Sequence, residues 1–352
     1  MTEPNPPAPR ARRRPVTMRE VASAAGVSVA TVSLVINDKK TARIGEATRQ
    51  RVWAAIRDLG YRPNAMAKNL VQGDSRFIGL VADAIATTPF AGQIIHGAQD
   101  EAWKHGYVLL VANTEGNDDA EAEAIAMMLE HKVRGIVYST WYHRPIEVPG
   151  SLAETDFVLV NCFADAPGVR AVVPDEVSGG RAAAELLLAR GHRRIAFVNT
   201  TTPSPAREGR LRGHREALAA AGIAFDPALV LDARPDQAGG YAVTGDVLAR
   251  DVTAVCCHND RVAMGLYDGL RDRGLRVPGD VAVVGFDNQE VIAAHLRPAL
   301  STVALPHYDL GAVGLRVLLG LDDPGDGRVA LACPPVERDS VAAPSAARPA
   351  AG

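Results

Sequence analysis

The amino-acid sequence predicts a small all-α head carrying a helix-turn-helix, joined to a two-lobed α/β body with two doubly wound parallel sheets. Three observations lead there. A chain of 352 residues is too long for one compact core and suits a small domain plus a larger one. Residues 17–60 form three short helical patterns punctuated by glycine. From Phe77 onward, seven continuous apolar runs alternate with segments of helical period. Strands buried on both faces and separated by helices belong to parallel sheets, and this many repeats exceed one sheet.

In the head, Thr17-Met18-Arg19-Glu20 is a capping box, in which hydroxyl and carboxylate each satisfy a free amide of the first turn. The helix it opens runs to Ala25, and Gly26 supplies the positive φ of a tight turn. Ser28 caps a second helix through Asn37, with Val32, Val35 and Ile36 as its apolar stripe. A third helix starts at Gly45 and stops at Gly60. A break at Tyr61-Arg62-Pro63-Asn64 precedes a short helical period over residues 65–71.

In the body, FIGLVAD, YVLLVAN, GIVYST, DFVLVN, RIAFVN, AVCCHND and VAVVGFDN read as strands. Segments such as GQIIHGAQDEAWKHG, GGRAAAELLLARGH and GRLRGHREALAAAG read as the helices between them. Asn113, Asn161, Asn199, Asn259 and Asp287 collect at strand ends, where ligands bind in such sheets. The expected division is a disordered basic tail over 1–15, the head over 16–63, a linker over 64–74, the body over 75–340 and a loose Ala/Pro-rich tail over 341–352.

The net charge of −3 hides an asymmetry, for residues 1–76 carry fourteen Lys/Arg against six Asp/Glu. A basic head on an acidic body points to the head as the part that meets a polyanion. No apolar run reaches the ~18 residues a bilayer span needs, and the start shows no secretory h-region. A cytoplasmic protein without membrane partners is expected. The four cysteines, Cys162, Cys256, Cys257 and Cys333, show neither disulfide nor zinc spacing and are expected as core thiols. No nucleophile elbow, Walker motif or metal-spaced group occurs, so neither catalysis nor a cofactor or metal is expected.

A helix, a glycine turn and a second helix form the arrangement whose second helix enters the major groove of DNA. Thr31 and Ser33 suit phosphates or base edges, and Val29 or Ala30 suits a thymine methyl. Spacing alone leaves a three-helix bundle without a DNA role open.

The string VTMREVASAAGVSVATVSLVIN…ATRQRVWAAIRDLGYRPNAMAKNL resembles the head of the lactose-repressor (LacI/GalR) family of transcription regulators. The likeness continues through the body to about Asp323. The resemblance implies base contacts from Val29 and Ala30, and phosphate contacts from Thr17, Ser28, Thr31, Ser33, Asn37, Thr48, Tyr61 and Asn64. Leu34 stands where relatives often carry a base-reading arginine, so the operator is expected to depart from the usual half-site. By the same resemblance 64–71 is a hinge helix entering the minor groove, with Leu70 as the wedge between base pairs and Ala67 as the small residue that lets two such helices approach. Paired wedges at one dyad imply a homodimer on palindromic operator DNA.

The resemblance makes the body periplasmic-binding-protein-like, with a ligand between lobes joined by three crossovers, expected near residues 162, 290 and 322. Arg210 matches the arginine that grips a ligand hydroxyl or carboxylate. Asn259 and Asp287 match polar cleft positions, Asn161 stands where relatives often have Asp, and Phe90 matches an aromatic at the cleft floor. From the residues themselves, Trp141 and Tyr142 follow a strand and offer faces for a sugar. Asp175 reads as a helix cap.

The expected function is therefore a sequence-specific repressor whose operator affinity is set by a small molecule, a sugar or sugar derivative. A catabolite-type regulator answering to a phosphocarrier protein is the alternative. A free sugar-binding protein or an enzyme is disfavoured by the intact head.

Overall fold

The computed structural model describes residues 14, 16–36, 44–61, 75–86, 88, 91–325 and 327–345, and the chain divides into two compact units at Asp74 and Ser75. The head holds α1 (Met18–Ala25), α2 (Val29–Ile36) and α3 (Glu46–Leu59). Its capping box is formed: the Glu20 amide donates to Thr17 Oγ1 at 3.3 Å, and the Thr17 amide donates to Glu20 Oε2 at 2.6 Å. Gly26 turns the chain with φ 64°, and α2 leaves α1 at a bend of 102°. Ser28 Oγ accepts the Thr31 amide at 3.1 Å, which caps α2. Val21, Val32 and Val52 are fully buried at the centre of the three helices, each worth roughly 1.5–3 kcal/mol of apolar burial. The expectations for Asn37 and for 65–71 lie outside the described residues.

In the body the chain runs β1 (Phe77–Ala82), α4 (Gly92–Lys104), β2 (Val108–Asn113), α5 (Asp118–Glu130), β3 (Ile136–Pro145), β4 (Phe157–Phe163) and β5 (Ala171–Pro174). It continues through α6 (Glu176–Leu188), β6 (Ile195–Thr200), α7 (Pro205–Ala220), β7 (Val230–Ala233), α8 (Gln237–Leu248), β8 (Ala254–Cys257), α9 (Asp260–Arg271) and β9 (Ala282–Val284). Last come α10 (Glu290–Ala293), β10 (Thr302–Val303), α11 (His307–Leu318), β11 (Arg328–Leu331) and β12 (Pro335–Val336).

Two sheets result, ordered β11-β5-β4-β3-β1-β2 and β7-β6-β8-β9, and all their pairings are parallel. Strands β10 and β12 form a separate antiparallel ribbon. Helices cover both faces of each sheet. Ile94 and Ala98 of α4 share a core with Leu310 and Leu315 of α11 on one face of the first sheet, and α5 covers the other. In the second lobe α8 and α9 cover one face, and α6 and α7 the other. Cys256 and Cys257 fall into the cores on opposite faces of that sheet, as alternation along a strand requires. All four thiols are buried and free. Among the described residues no single helix is long and apolar enough to cross a membrane.

The crossovers need correction. The chain changes lobes between β5 and α6, between β10 and α11, and between β11 and β12, close to residues 175, 305 and 333 rather than 162, 290 and 322. In each case one strand intervenes before the crossing. Strands β5, β10 and β11 have four, two and four residues and lie against Pro174, Pro306 and Pro334, which read as breaks. Strands β7 and β12 and helices α8 and α11 escaped the sequence reading as well.

Candidate DNA-reading head and inter-lobe cleft

In the head, helix α2 buries Val32 and Val35 and leaves Ser28, Val29 and Ala30 exposed, with Val29 42% accessible. Small side chains on the first turn of an exposed helix can meet base edges without steric conflict. Leu34, Ser33 and Thr31 are half-buried, and the Thr31 and Ser28 hydroxyls bond each other at 2.9 Å. Thr17 and Ser28 cap α1 and α2, and Thr48 lies in the first turn of α3. Helix N-termini direct free amides outward and favour phosphate oxygens. Thr48 Oγ1 accepts from Arg51 Nη2 at 3.4 Å. Tyr61 is packed into the head's core, so any phosphate contact falls to its hydroxyl alone. Asn37, Asn64, Ala67 and Leu70 lie outside the described residues.

In the body, the carboxyl ends of β3, β4, β6 and β8 surround a cavity of about 450 Å³. In both sheets the strand order reverses beside the first strand, at β1/β3 and β6/β8, which is where open α/β sheets leave a crevice. Trp141, Asn161, Arg210, Asn259 and Asp287 all line this one cavity; Phe90 lies outside the described residues. A larger groove of about 840 Å³ runs along the crossover segment and shares Arg261, Asp287, Gln289 and Leu305 with it. The smaller cavity holds the buried Glu176–Arg210 pair as well as Asp287 and is the candidate site.

Arg210 organises the cavity. Its side chain, 5% exposed, donates from Nε to Glu176 Oε2 at 2.8 Å and from Nη1 to the His258 carbonyl at 2.5 Å. Asp287 Oδ1 is 3.6 Å from the same Nη1, and the guanidinium lies 3.6 Å from the centre of the Phe286 ring. Glu176 is the first residue of α6, and its other oxygen faces His143 Nδ1 of β3 at 3.3 Å. That contact crosses from one lobe to the other. Burial acts strongly against the Glu176 carboxylate, but Arg210 and His143 together outweigh it and hold its pKa at about 2. For Asp287 burial prevails over Arg210 and Gln289, and its pKa is pushed up to about 6. Burial, helped by Arg210, drives His258 well below the usual histidine range.

Other polar groups already make bonds within the chain. Asn259 caps α9 by accepting the Val262 amide at 2.8 Å and donates to the Pro235 carbonyl at 3.1 Å. Asn161, with φ 59°, donates to the Thr140 carbonyl at 2.9 Å. Asp175 accepts the Ser178 amide at 3.0 Å and is the cap of α6. By contrast His143 Nε2 and His258 Nδ1 are buried in the cavity wall without a hydrogen-bond partner, and buried polar atoms are rarely left so. Trp141, 38% exposed, stands edge to face with Tyr142 at 4.9 Å and supplies an apolar wall. Glu176, His143 and His258 were missed by sequence reasoning as site residues. A glutamate in a helix's first turn reads simply as a complement to the helix dipole.

Asp287 makes the cavity pH-sensitive. Its proton is held more tightly in the folded chain, with a pKa of about 6 against 3.8. Stability is therefore gained as pH falls through about 6 and lost as it rises through that window. Asp287→Asn is expected to raise the melting temperature relative to the unmodified chain more at about pH 7.5 than at about pH 4.5. Equal differences at the two pH values would contradict the assignment.

A helix-turn-helix head on a two-lobed body with a polar, aromatic-walled cleft defines a DNA-binding transcription regulator controlled through its body. Residues 17–64 match the family described as bacterial regulatory proteins, lacI family, and residues 184–341 match the periplasmic binding protein-like domain. The HTH-type transcriptional regulator GalR of Escherichia coli (strain K12) is 33% identical over 310 residues, covering 87% of this chain and 89% of GalR. The lac repressor dimer bound to operator and the anti-inducer ONPF superposes with a TM-score of 0.77 at 26% identity, covering 94% of this chain and 100% of that one. The transcriptional regulator CelR in complex with cellobiose gives 0.62 at 30% identity, covering 93% and 100%. The chain belongs to the LacI family of transcriptional regulators.

Proposed function

We propose that the protein is a homodimeric repressor that holds palindromic operator DNA through its heads and is controlled by a carbohydrate bound between the lobes of its body. The observation that carries the effector reading is the cleft itself. An Arg210–Glu176–Asp287 cluster, two buried imidazole nitrogens without partners and an aromatic wall converge on one cavity fed by both lobes. Such a surface suits the hydroxyls and apolar faces of a sugar. The CelR–cellobiose complex is a relative in which a sugar is bound.

Ligand between the lobes changes their relative angle, and in a dimer this alters how the two heads are presented to DNA. The size of the response cannot exceed the ligand's difference in affinity for the two arrangements. The head residues Val29 and Ala30 read bases, Thr17, Ser28 and Thr48 hold phosphates, and the resemblance assigns the minor-groove wedge to Leu70. The protein acts in the cytoplasm as a regulator rather than as an enzyme. Its relatives support this, and burial pushes the Cys162 and Cys256 thiols up to about 12, which removes them as nucleophiles at neutral pH.

The test is selection of bound DNA from a random pool, followed by release with a sugar panel. The expected result is a palindromic site, lost on addition of one sugar and lost steeply as salt rises, because several phosphates are neutralised. A non-palindromic site or salt-independent binding would overturn the reading.

A further inference from the structure

We propose that the cleft accepts uncharged polyhydroxylated ligands and rejects their phosphorylated or carboxylated counterparts, with Glu176 as the residue that sets this choice. The inference rests on the carbohydrate-effector reading above. A buried arginine in a ligand cleft ordinarily invites an anion, because its planar fork matches carboxylate and phosphate. Here two of the fork's three nitrogens are already engaged. Glu176 takes Nε at 2.8 Å, the His258 carbonyl takes Nη1 at 2.5 Å, and Asp287 stands 3.6 Å from the same nitrogen. Two carboxylates on one guanidinium leave the cluster with a net negative charge.

The remaining charges on the wall do not reverse this. Asp236 and Arg261 both line the cavity and add one charge of each sign; Asp236 caps α8 and pairs with Arg234 at 2.5 Å, and Arg261, still charged, donates to Gln289 Oε1 at 3.3 Å. Any phosphate or carboxylate entering the cleft meets carboxylates of its own sign in a desolvated setting, where like charges are strongly disfavoured. The unpartnered atoms, His143 Nε2 and His258 Nδ1, suit hydroxyl groups, and burial keeps His258 neutral beside Arg210. Glu176 holds Arg210 in one lobe and faces His143 of the other at 3.3 Å, so it shapes both walls that a ligand touches.

The experiment titrates the full chain by calorimetry with matched sets: glucose, galactose, ribose and cellobiose against glucose 6-phosphate, ribose 5-phosphate, glucuronate and galacturonate. For a neutral sugar that binds, its charged counterpart is expected to be weaker by about tenfold or more. Glu176→Gln keeps the side-chain shape and removes the charge, and is expected to narrow that ratio by about tenfold. A charged compound that binds as tightly as its neutral counterpart, or a ratio unchanged in a cooperatively melting Glu176→Gln, overturns the proposal. Should Glu176→Gln fail to fold, the ratio in the unmodified chain still decides selectivity, and Asp287→Asn decides whether the carboxylates set it. If no compound in either set binds or releases operator, the carbohydrate reading itself fails.

Discussion

Arg210→Ala is expected to destabilise the body by about 3–5 kcal/mol and to abolish its response to ligand. The reason is the partner left behind. Glu176 is 4% exposed at its side chain and takes its nearest cation from Arg210 Nε at 2.8 Å; without that cation burial dominates and the carboxyl must take up a proton or draw in water. Asp287 loses its counter-ion in the same step, and the His258 carbonyl loses a donor. Urea unfolding of the single variant beside Arg210→Ala/Glu176→Gln separates these effects. The double variant is expected to recover part of the loss, because it no longer buries an unpaired charge. A single-variant cost below about 1 kcal/mol, or no recovery in the double, would show that the pair is held as loosely as a surface salt bridge.

Gly213→Ala is expected to destabilise the body by about 1–3 kcal/mol and to weaken ligand binding with it. Helix propensity alone argues the other way, since alanine in place of glycine within a helix gains about 1 kcal/mol. The sign is decided by the neighbours. A methyl on Gly213 overlaps the Val177 carbonyl oxygen and sits 2.5 Å from the Arg181 amide, while one on Gly180 overlaps the Arg210 carbonyl. Helices α6 and α7 therefore touch backbone to backbone, and this contact brings Glu176 at the start of α6 against Arg210 in the middle of α7. Gly245→Ala in α8 is the control, for its added methyl meets only the tip of Arg273 at 3.9 Å and should stabilise. Chemical denaturation of both variants, with a ligand titration of the first, checks the pair.

The same contact explains what was legible in the sequence. The Thr17–Glu20 capping box, the Gly26 turn and the Ser28 cap were readable because each is settled within four residues. Two lobes were readable from the alternation of apolar runs and helical segments. The places where the chain changes lobes were not, because β5, β10 and β11 are short and their neighbouring prolines, Pro174, Pro306 and Pro334, read as breaks. In the site, Trp141, Asn161, Arg210, Asn259 and Asp287 sit on strand ends or on the matched arginine position, and they share one cavity. Glu176 was invisible because its role depends on a residue 34 positions away, brought near by glycines whose purpose appears only when two helices meet. Asn259, read as a ligand grip, lines the cavity and also caps α9 and holds Pro235, and its amide keeps one further donor hydrogen and one further lone pair.

The three lobe changes also set the order in which the body can be completed as it leaves the ribosome. The first lobe begins at β1, yet α11, which covers one face of its sheet, and β11, which closes its edge beside β5, lie beyond residue 306. The second lobe waits for β12 to pair with β10. Neither half of the body is contiguous in the gene, so no truncation before residue 331 yields a whole lobe. The head, settled by residue 61, has its complete core hundreds of residues earlier. During synthesis the part that meets DNA is finished long before the part that governs it.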